Sequence, residues 1–189
     1  MSDNRSSLLA CALDLFTTRG YDAVGVQEVA DAAGVKKPTL YHYFGSKYGL
    51  LQTLLDENFG ELFDALEQAV LYHSDVATTL NAIATEYFSF AEKHPKFYRL
   101  QLSMLFAPTD SAVFSAIIAV NQRQQQIMET FFLRAAQDHG NMQGRHQAYA
   151  ATFLGMLNTY ISINLISLSS ADSELAKKAV HQFMHGIFS

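Results

Sequence analysis

Apolar residues recur every three or four positions along almost the whole chain, the spacing of helices that bury one face. Leu8, Leu9, Ala12, Leu13 and Phe16 form the first stripe and predict a helix from about Asn4 to Arg19, stopped by Gly20. Val26, Val29, Ala30 and Ala33 make a shorter second stripe, and Leu40 and Phe44 anchor a third helix inward. Ser46 reads as the N-cap of a long helix to about Tyr72, with Leu50, Leu51, Leu54, Leu55, Leu62, Leu66 and Val70 at helical spacing. A further helix is predicted from about Asp75 to Lys93, ended by His94 and Pro95. A short aromatic segment follows from Pro95 to Leu105, closed by Ala107 and Pro108, and then a long helix from Ser111 to His139. The run from Gly140 to Gly144 is a loop. Two last helices span Arg145 to Leu168 and Ser173 to Phe188, split by Ser169, Ser170, Ala171 and Asp172. No strand run, repeat or low-complexity segment interrupts the pattern, so the expected class is all-α, with about nine helices.

Residues 26 to 50 depart from simple amphipathicity. Ala33, Gly34 and Val35 supply a sharp turn between two short helices, where glycine takes a positive φ at little steric cost. Pro38 sits in the first turn of the second helix, where a missing N–H does no harm. With Leu40 and Phe44 turned inward, Lys37, Thr39, Tyr41 and His42 are left to face outward, and Lys47 follows just beyond. That is the layout of a helix-turn-helix, whose second helix enters a DNA major groove. Lys37 can donate to guanine O6 or N7, while Pro38 and the Thr39 methyl can pack on thymine.

The order of these pieces resembles the DNA-binding head of the TetR family of bacterial regulators. The likeness covers roughly residues 5 to 52: a leading amphipathic helix, Gly20-Tyr21, the segment VADAAGV, and PTLYHYFGSK. It implies an N-terminal three-helix head over 1–46 and a larger helical ligand-binding and dimerisation domain over 47–189. It also places base or near-base contacts at Gln27, Lys37, Pro38, Thr39 and His42, and phosphate contacts at Tyr41, Tyr43 and Lys47. Packing in the core remains open for Tyr43. Lys47 also falls in the first turn of the fourth helix, whose free N–H groups attract anions. In one respect the chain departs from the family, which often has Ser or Thr where Gly25 and Lys36 stand. Gly is a passable N-cap and Lys a poor one, so either the recognition helix frays at its start or Lys36 contacts DNA.

Charge changes the picture once it is divided. The chain carries a net −5, yet residues 1 to 50 are neutral, with Lys36, Lys37 and Lys47 grouped at the motif. The remainder holds 8 basic against 13 acidic residues and discourages indiscriminate coating of DNA. A lone cysteine, Cys11, excludes an intrachain disulfide, and with no signal peptide a reducing cytoplasm is the expected setting. From Ala148 to Ala171 there is no formal charge, but Thr152, Asn158, Thr159, Ser162, Asn164 and Ser167 argue for a helix buried against a partner subunit rather than a membrane span.

Two recognition helices must meet half-sites about 34–36 Å apart, so a homodimer on a near-palindromic double-stranded operator is expected. The resemblance places the dimer surface on the last two helices, where Ala150, Ala151, Leu154, Leu157, Ile161 and Leu165 suit a four-helix interface. Aromatics and methionines collect between residues 87 and 160; composition alone leaves an ordinary core and a ligand pocket equally open. The family likeness favours a pocket for a small, largely apolar effector of unknown identity. Its candidate lining is Phe88, Tyr98, Arg99, Leu102, Phe106 and Phe114, with Asn121, Gln125, Met128, Phe153, Met156 and Tyr160. The fourth helix, which joins Lys47 to the pocket wall, is the expected lever between effector and DNA.

Other chemistry is thin. His181 and His185 have a metal-chelating spacing but no partner ligand at fixed distance, and His139 and His146 merely flank the glycine-rich loop. No nucleophile elbow, phosphate-binding loop, dinucleotide fingerprint or CxxC pair is present, so neither catalysis, a cofactor nor a metal is expected. The leading reading is a ligand-responsive repressor. The alternatives are an architectural or cell-division factor that uses the same head without an inducer, and a small-molecule carrier with a degenerate head.

Overall fold

The computed structural model describes residues 3–71, 74–167 and 173–186, and among them every regular element is a helix. The helices are α1 (Asn4–Arg19), α2 (Val26–Ala32), α3 (Lys37–Phe44), α4 (Lys47–Ala69), α5 (Val76–Lys93), α6 (Pro95–Met104), α7 (Ala112–Asp138), α8 (His146–Ser167) and α9 (Ser173–His185), with a 3-10 turn at Gly140–Met142. The boundaries fall within a few residues of those the apolar stripes predict. The predicted ends at Tyr72, Leu168 and Phe188, and the break at Ser169, Ser170, Ala171 and Asp172, lie outside the described residues.

The chain packs as two compact units. The first comprises Met1–Gly60 and Lys96–Ala119, the second Glu61–Pro95 and Val120–Ser189. The head expected at 1–46 lies inside the first unit, which also takes in the start of α4, most of α6 and the start of α7. Local chemistry accounts for that larger grouping. Lys96 pairs with Asp14 at 2.5 Å, and the Phe59 and Phe97 rings meet edge to face at 5.1 Å. Both aromatic rings are buried, and such a pair contributes beyond the area it removes from water.

Within the first unit, α1, α2 and α3 pack against one another over Leu8, Ala12, Phe16, Val29, Ala30 and Leu40, all essentially inaccessible. Each helix end is resolved by local hydrogen bonding. Gly34, at φ +67°, turns the chain between α2 and α3, and the Val35 N–H donates to the Ala30 carbonyl at 2.9 Å. Ser46 caps α4 as its sequence position predicts, its Oγ accepting from the Gly49 N–H at 2.9 Å.

The second unit is a helical layer in which α5 packs on α8 and α9, and α8 on α9. Leu80, Ile83 and Tyr87 of α5 meet a core that includes Phe131 and Phe132 of α7 and Phe153 of α8. In its interior the buried Tyr87 hydroxyl donates to Gln124 Oε1 at 2.8 Å. On α8, Ala150, Phe153, Leu157 and Ile161 turn inward at helical spacing. The opposite face carries Ala151, Gly155, Thr159, Ile163 and Ile166, and is exposed. Among the described residues no helix is long and apolar enough to cross a membrane.

Candidate functional site

The exposed side of α3 is built by what its other side buries. Leu40 and Phe44 point into the three-helix core. Their burial sets the rotation of the helix and leaves Lys37, Pro38, Tyr41, His42 and Tyr43 outside, with Thr39 half-buried at the edge. Tyr41 is 43% and Tyr43 38% exposed, so the choice left open for Tyr43 resolves toward the surface. The Lys37 ammonium lies 5.7 Å from the Tyr41 ring, one turn along the helix, and the His42 and Tyr43 rings meet edge to face at 5.4 Å. The result is a short helix that presents a lysine, a methyl-bearing hydroxyl and aromatic rims on a single surface.

The two weak N-caps are handled differently. Glu28 Oε1 accepts from the Gly25 N–H at 2.9 Å, and its other oxygen pairs with Arg19. That backbone N–H, and next the Arg19 guanidinium, hold the Glu28 carboxyl below the usual carboxylate range. So α2 is fastened at its start by the residue three positions in, the half of a capping box that a glycine cap leaves available. At α3 the Lys36 side chain makes no capping bond; it stands exposed, and the chain closes the first turn by Thr39 N–H donating to the Lys36 carbonyl at 2.9 Å. Pro38 removes one N–H that would otherwise need a partner.

Beside this helix, Lys47 is half-buried, with its ammonium 4.1 Å from the centre of the Tyr21 ring. Burial pushes its pKa below the ordinary lysine value, against the opposing pull of Asp22 and Glu28. Gln27 is exposed on α2 but engaged, donating to Asp31 Oδ1 at 2.7 Å. The nine residues expected at the nucleic-acid face therefore all reach the surface of one unit, with Thr39 and Lys47 the least exposed. Tyr21 was not among them. Its signal in the sequence was only its place after Gly20, and nothing there showed that its ring would lie under a lysine.

The second unit holds a cavity of ≈ 640 Å³, within the range of sites for drug-sized ligands. Three rings form one wall: Phe183 of α9 stands 6.1 Å from Phe132 and 6.4 Å from Tyr149. Met142, Met156 and Met184 supply flexible apolar surface, and Val76 and Ala148 fill between them. The polar lining is His139, Asn141, Thr152 and Gln182. The His139 Nε2 is buried, with no hydrogen-bond partner among the described residues.

Of the twelve residues read from the sequence as lining, Met156 borders this cavity. Phe88, Met128 and Phe153 are core residues of the second unit, and Tyr160 is half-buried there. Asn121 and Gln125 edge a separate, polar recess on α7. Tyr98, Arg99, Leu102, Phe106 and Phe114 belong to the first unit, where Tyr98 is enclosed and Phe106 is 89% exposed. The cavity draws instead on the 3-10 turn and the end of α9. No sequence pattern marks either as a wall, because their contribution depends on which turn of α8 they meet.

Comparison with known proteins agrees with this geometry. The family model of bacterial regulatory proteins, tetR family, matches residues 8–54. Over 98 residues the chain is 38% identical to the HTH-type transcriptional activator FasR of Mycolicibacterium smegmatis, covering 52% of this chain and 45% of that protein. Over 84 residues it is 37% identical to the HTH-type transcriptional repressor KstR2 of Rhodococcus jostii, covering 44% and 41%. The chain thus spans less than half the length of these curated relatives. In fold it is similar to the solved transcriptional regulator FadR from Bacillus subtilis in complex with stearoyl-CoA, with a TM-score of 0.81 at 17% identity over 96% of this chain and 98% of that one. Over residues 8–54, the helix-turn-helix head, the chain is thus similar to the bacterial regulatory proteins of the tetR family.

Proposed function

We propose that this protein is a cytoplasmic, ligand-responsive transcriptional regulator that binds a near-palindromic operator as a homodimer and, as a repressor, is released by a small, largely apolar effector. The single observation that carries the reading is the exposed face of α3. Lys37, Pro38, Tyr41 and His42 stand outward on a helix anchored by Leu40 and Phe44, with Lys36 and Lys47 at its flanks. A helix so anchored offers donors to base edges while the flanking cations meet phosphate, which gives register and sequence selection together. The exposed apolar stripe of α8, ending in Ile163 and Ile166, supports pairing of two copies through the last two helices, since a lone subunit leaves that stripe to water.

The effector would act by population shift. A ligand that binds better to subunits whose heads are misplaced for the operator weakens DNA affinity by that difference, and by no more. α4 contributes residues to both units and is the connection through which such a change would reach Lys47. The cavity of the second unit supports a small effector, as does the stearoyl-CoA held by the FadR structure that shares the fold. Repression rather than activation is favoured by the simplest arrangement, in which the unliganded protein occupies DNA, and by the likeness to KstR2, a repressor by name.

Selection from random duplex DNA with the purified protein, at a fixed salt concentration, tests the reading. An enriched near-palindrome is expected. A folded, dimeric protein that enriches nothing would overturn it in favour of a carrier.

A further inference from the structure

A second recess adjoins the cavity of the second unit. It lies between α5 and α9, encloses ≈ 520 Å³ and shares Met184 with the cavity. The walls also continue along the chain, from Val76 in the cavity to Ala77 in the recess. The two differ in chemistry. Rings and thioethers dominate the cavity, whereas Lys177, Lys178, His181 and His185 edge the recess. Among the described residues no Asp or Glu lines either of them. The His181 and His185 rings lie 4.5 Å apart, tilted at 42° and one helical turn apart, so that both lie along one side of α9. Lys177 pairs with Glu174 at 3.0 Å, an exposed pair on one helix that contributes little and is readily exchanged. Lys178 has no ion-pair partner among the described residues.

We propose that cavity and recess form one site for an amphipathic anion, with an apolar chain in the cavity and a carboxylate or phosphate head against the cations of α9. Its role as the effector site rests on the regulator reading; the binding does not. Division of labour follows from the physics of each part. Removing a chain from water drives binding in proportion to the apolar area covered. The head contributes less, because Lys177 and Lys178 remain partly solvated, but it fixes which end of the ligand faces out and selects against uncharged chains. Two exposed charge pairs of this kind raise affinity about fivefold to tenfold, and added salt erodes the gain.

Calorimetric titration of the full chain with decanoate, decyl phosphate and decanol, each below its micelle concentration, tests the proposal. Both anions are expected to bind, with decanol about fivefold to tenfold weaker and the gap closing as salt is added. A preference between the two anions identifies the head as carboxylate or phosphate. The double substitution Lys177→Gln and Lys178→Gln, on exposed positions, should bring the anions down to decanol without changing decanol itself. Met142→Trp, which fills the cavity from the 3-10 turn and leaves α8 and α9 untouched, should weaken all three ligands together. Equal binding of decanol and the anions, an unchanged preference in the lysine variant, or no binding at all would each overturn the proposal. DNA binding by the same preparation separates the two failures. A protein that enriches an operator but binds no amphiphile loses this site and keeps the regulator reading, whereas the reverse result does the opposite.

Discussion

The ammonium of Lys47 stands over the ring of Tyr21, 4.1 Å from its centre, at the point where α4 begins beside the recognition helix. The ring holds a long, flexible side chain in one place, and Tyr21 is itself held by Phe16, 5.1 Å away in the core of the head. A lysine already held in this way would meet a phosphate at a smaller cost in conformational freedom.

Two substitutions separate placement from charge. Lys47→Gln should reduce the slope of log affinity against log salt by about one for each head bound, weakening all DNA sequences alike. Tyr21→Leu keeps the cation and should leave the salt slope near that of the wild type while lowering operator affinity severalfold. Fluorescence anisotropy over a salt series reads both. An unchanged slope for Lys47→Gln would remove Lys47 from the interface.

Gly49 is required by space. A Cβ there would lie 2.0 Å from the Phe44 carbonyl oxygen, and backbone cannot yield as a side-chain end can. Gly49→Ala should therefore destabilise the protein by about 1–3 kcal/mol, despite the better helix propensity of alanine. Gly60, also within α4, has nothing within 4 Å of the same position. Gly60→Ala should stabilise by about 0.5–1 kcal/mol. Opposite shifts of the unfolding midpoint are the expected result.

The start of α2 should be sensitive to acid. Since the folded carboxyl of Glu28 is held below its unfolded value, its contribution is fully present above about pH 4.5 and is lost as the pH falls through the folded value. Glu28→Gln keeps an oxygen for the Gly25 N–H but surrenders the charge facing Arg19. Thermal unfolding of the two proteins should differ near neutrality and converge at the acid end of the titration. A constant difference across the range would show that Glu28 does not titrate as the geometry requires.

Much of this was legible in the sequence, and unevenly. Helix limits were readable because Gly20, Pro95 and the loop after His139 interrupt strong apolar stripes. The face of α3 was readable because Leu40 and Phe44 fix its rotation, and the Ser46 cap because a hydroxyl at that position has one natural partner. Three things were not. The outward face of α8 was hidden because the helix is apolar all round, so Ala150, Leu157 and Ile161 go inward while Ile163 and Ile166 do not. The cavity depends on Phe183 of α9 meeting Phe132 of α7 at 6.1 Å, on helices separated in the chain by the whole of α8, which no local spacing announces. Tyr21 and Lys47 are brought together only by the packing of the head.

That outward face of α8 yields a prediction of its own. Ile166 is 77% exposed in the single subunit. If two copies meet through the last helices, Ile166→Glu buries like charges against each other and should shift the protein toward monomer, seen by light scattering at micromolar concentration. Operator affinity should fall with it, since one head reads one half-site. A variant that remains fully dimeric would place the interface elsewhere.

The central claim is that the exposed face of α3 reads bases, and its most direct test is a comparison of wild type with Lys37→Ala on an enriched duplex and on single-base variants of it. The wild type is expected to lose about 1–3 kcal/mol at one particular base pair, and Lys37→Ala to lose the same affinity on the intact site and no longer to distinguish that pair. A substitution that weakens every duplex equally, with discrimination at each position intact, would reduce Lys37 to a phosphate contact and contradict the claim.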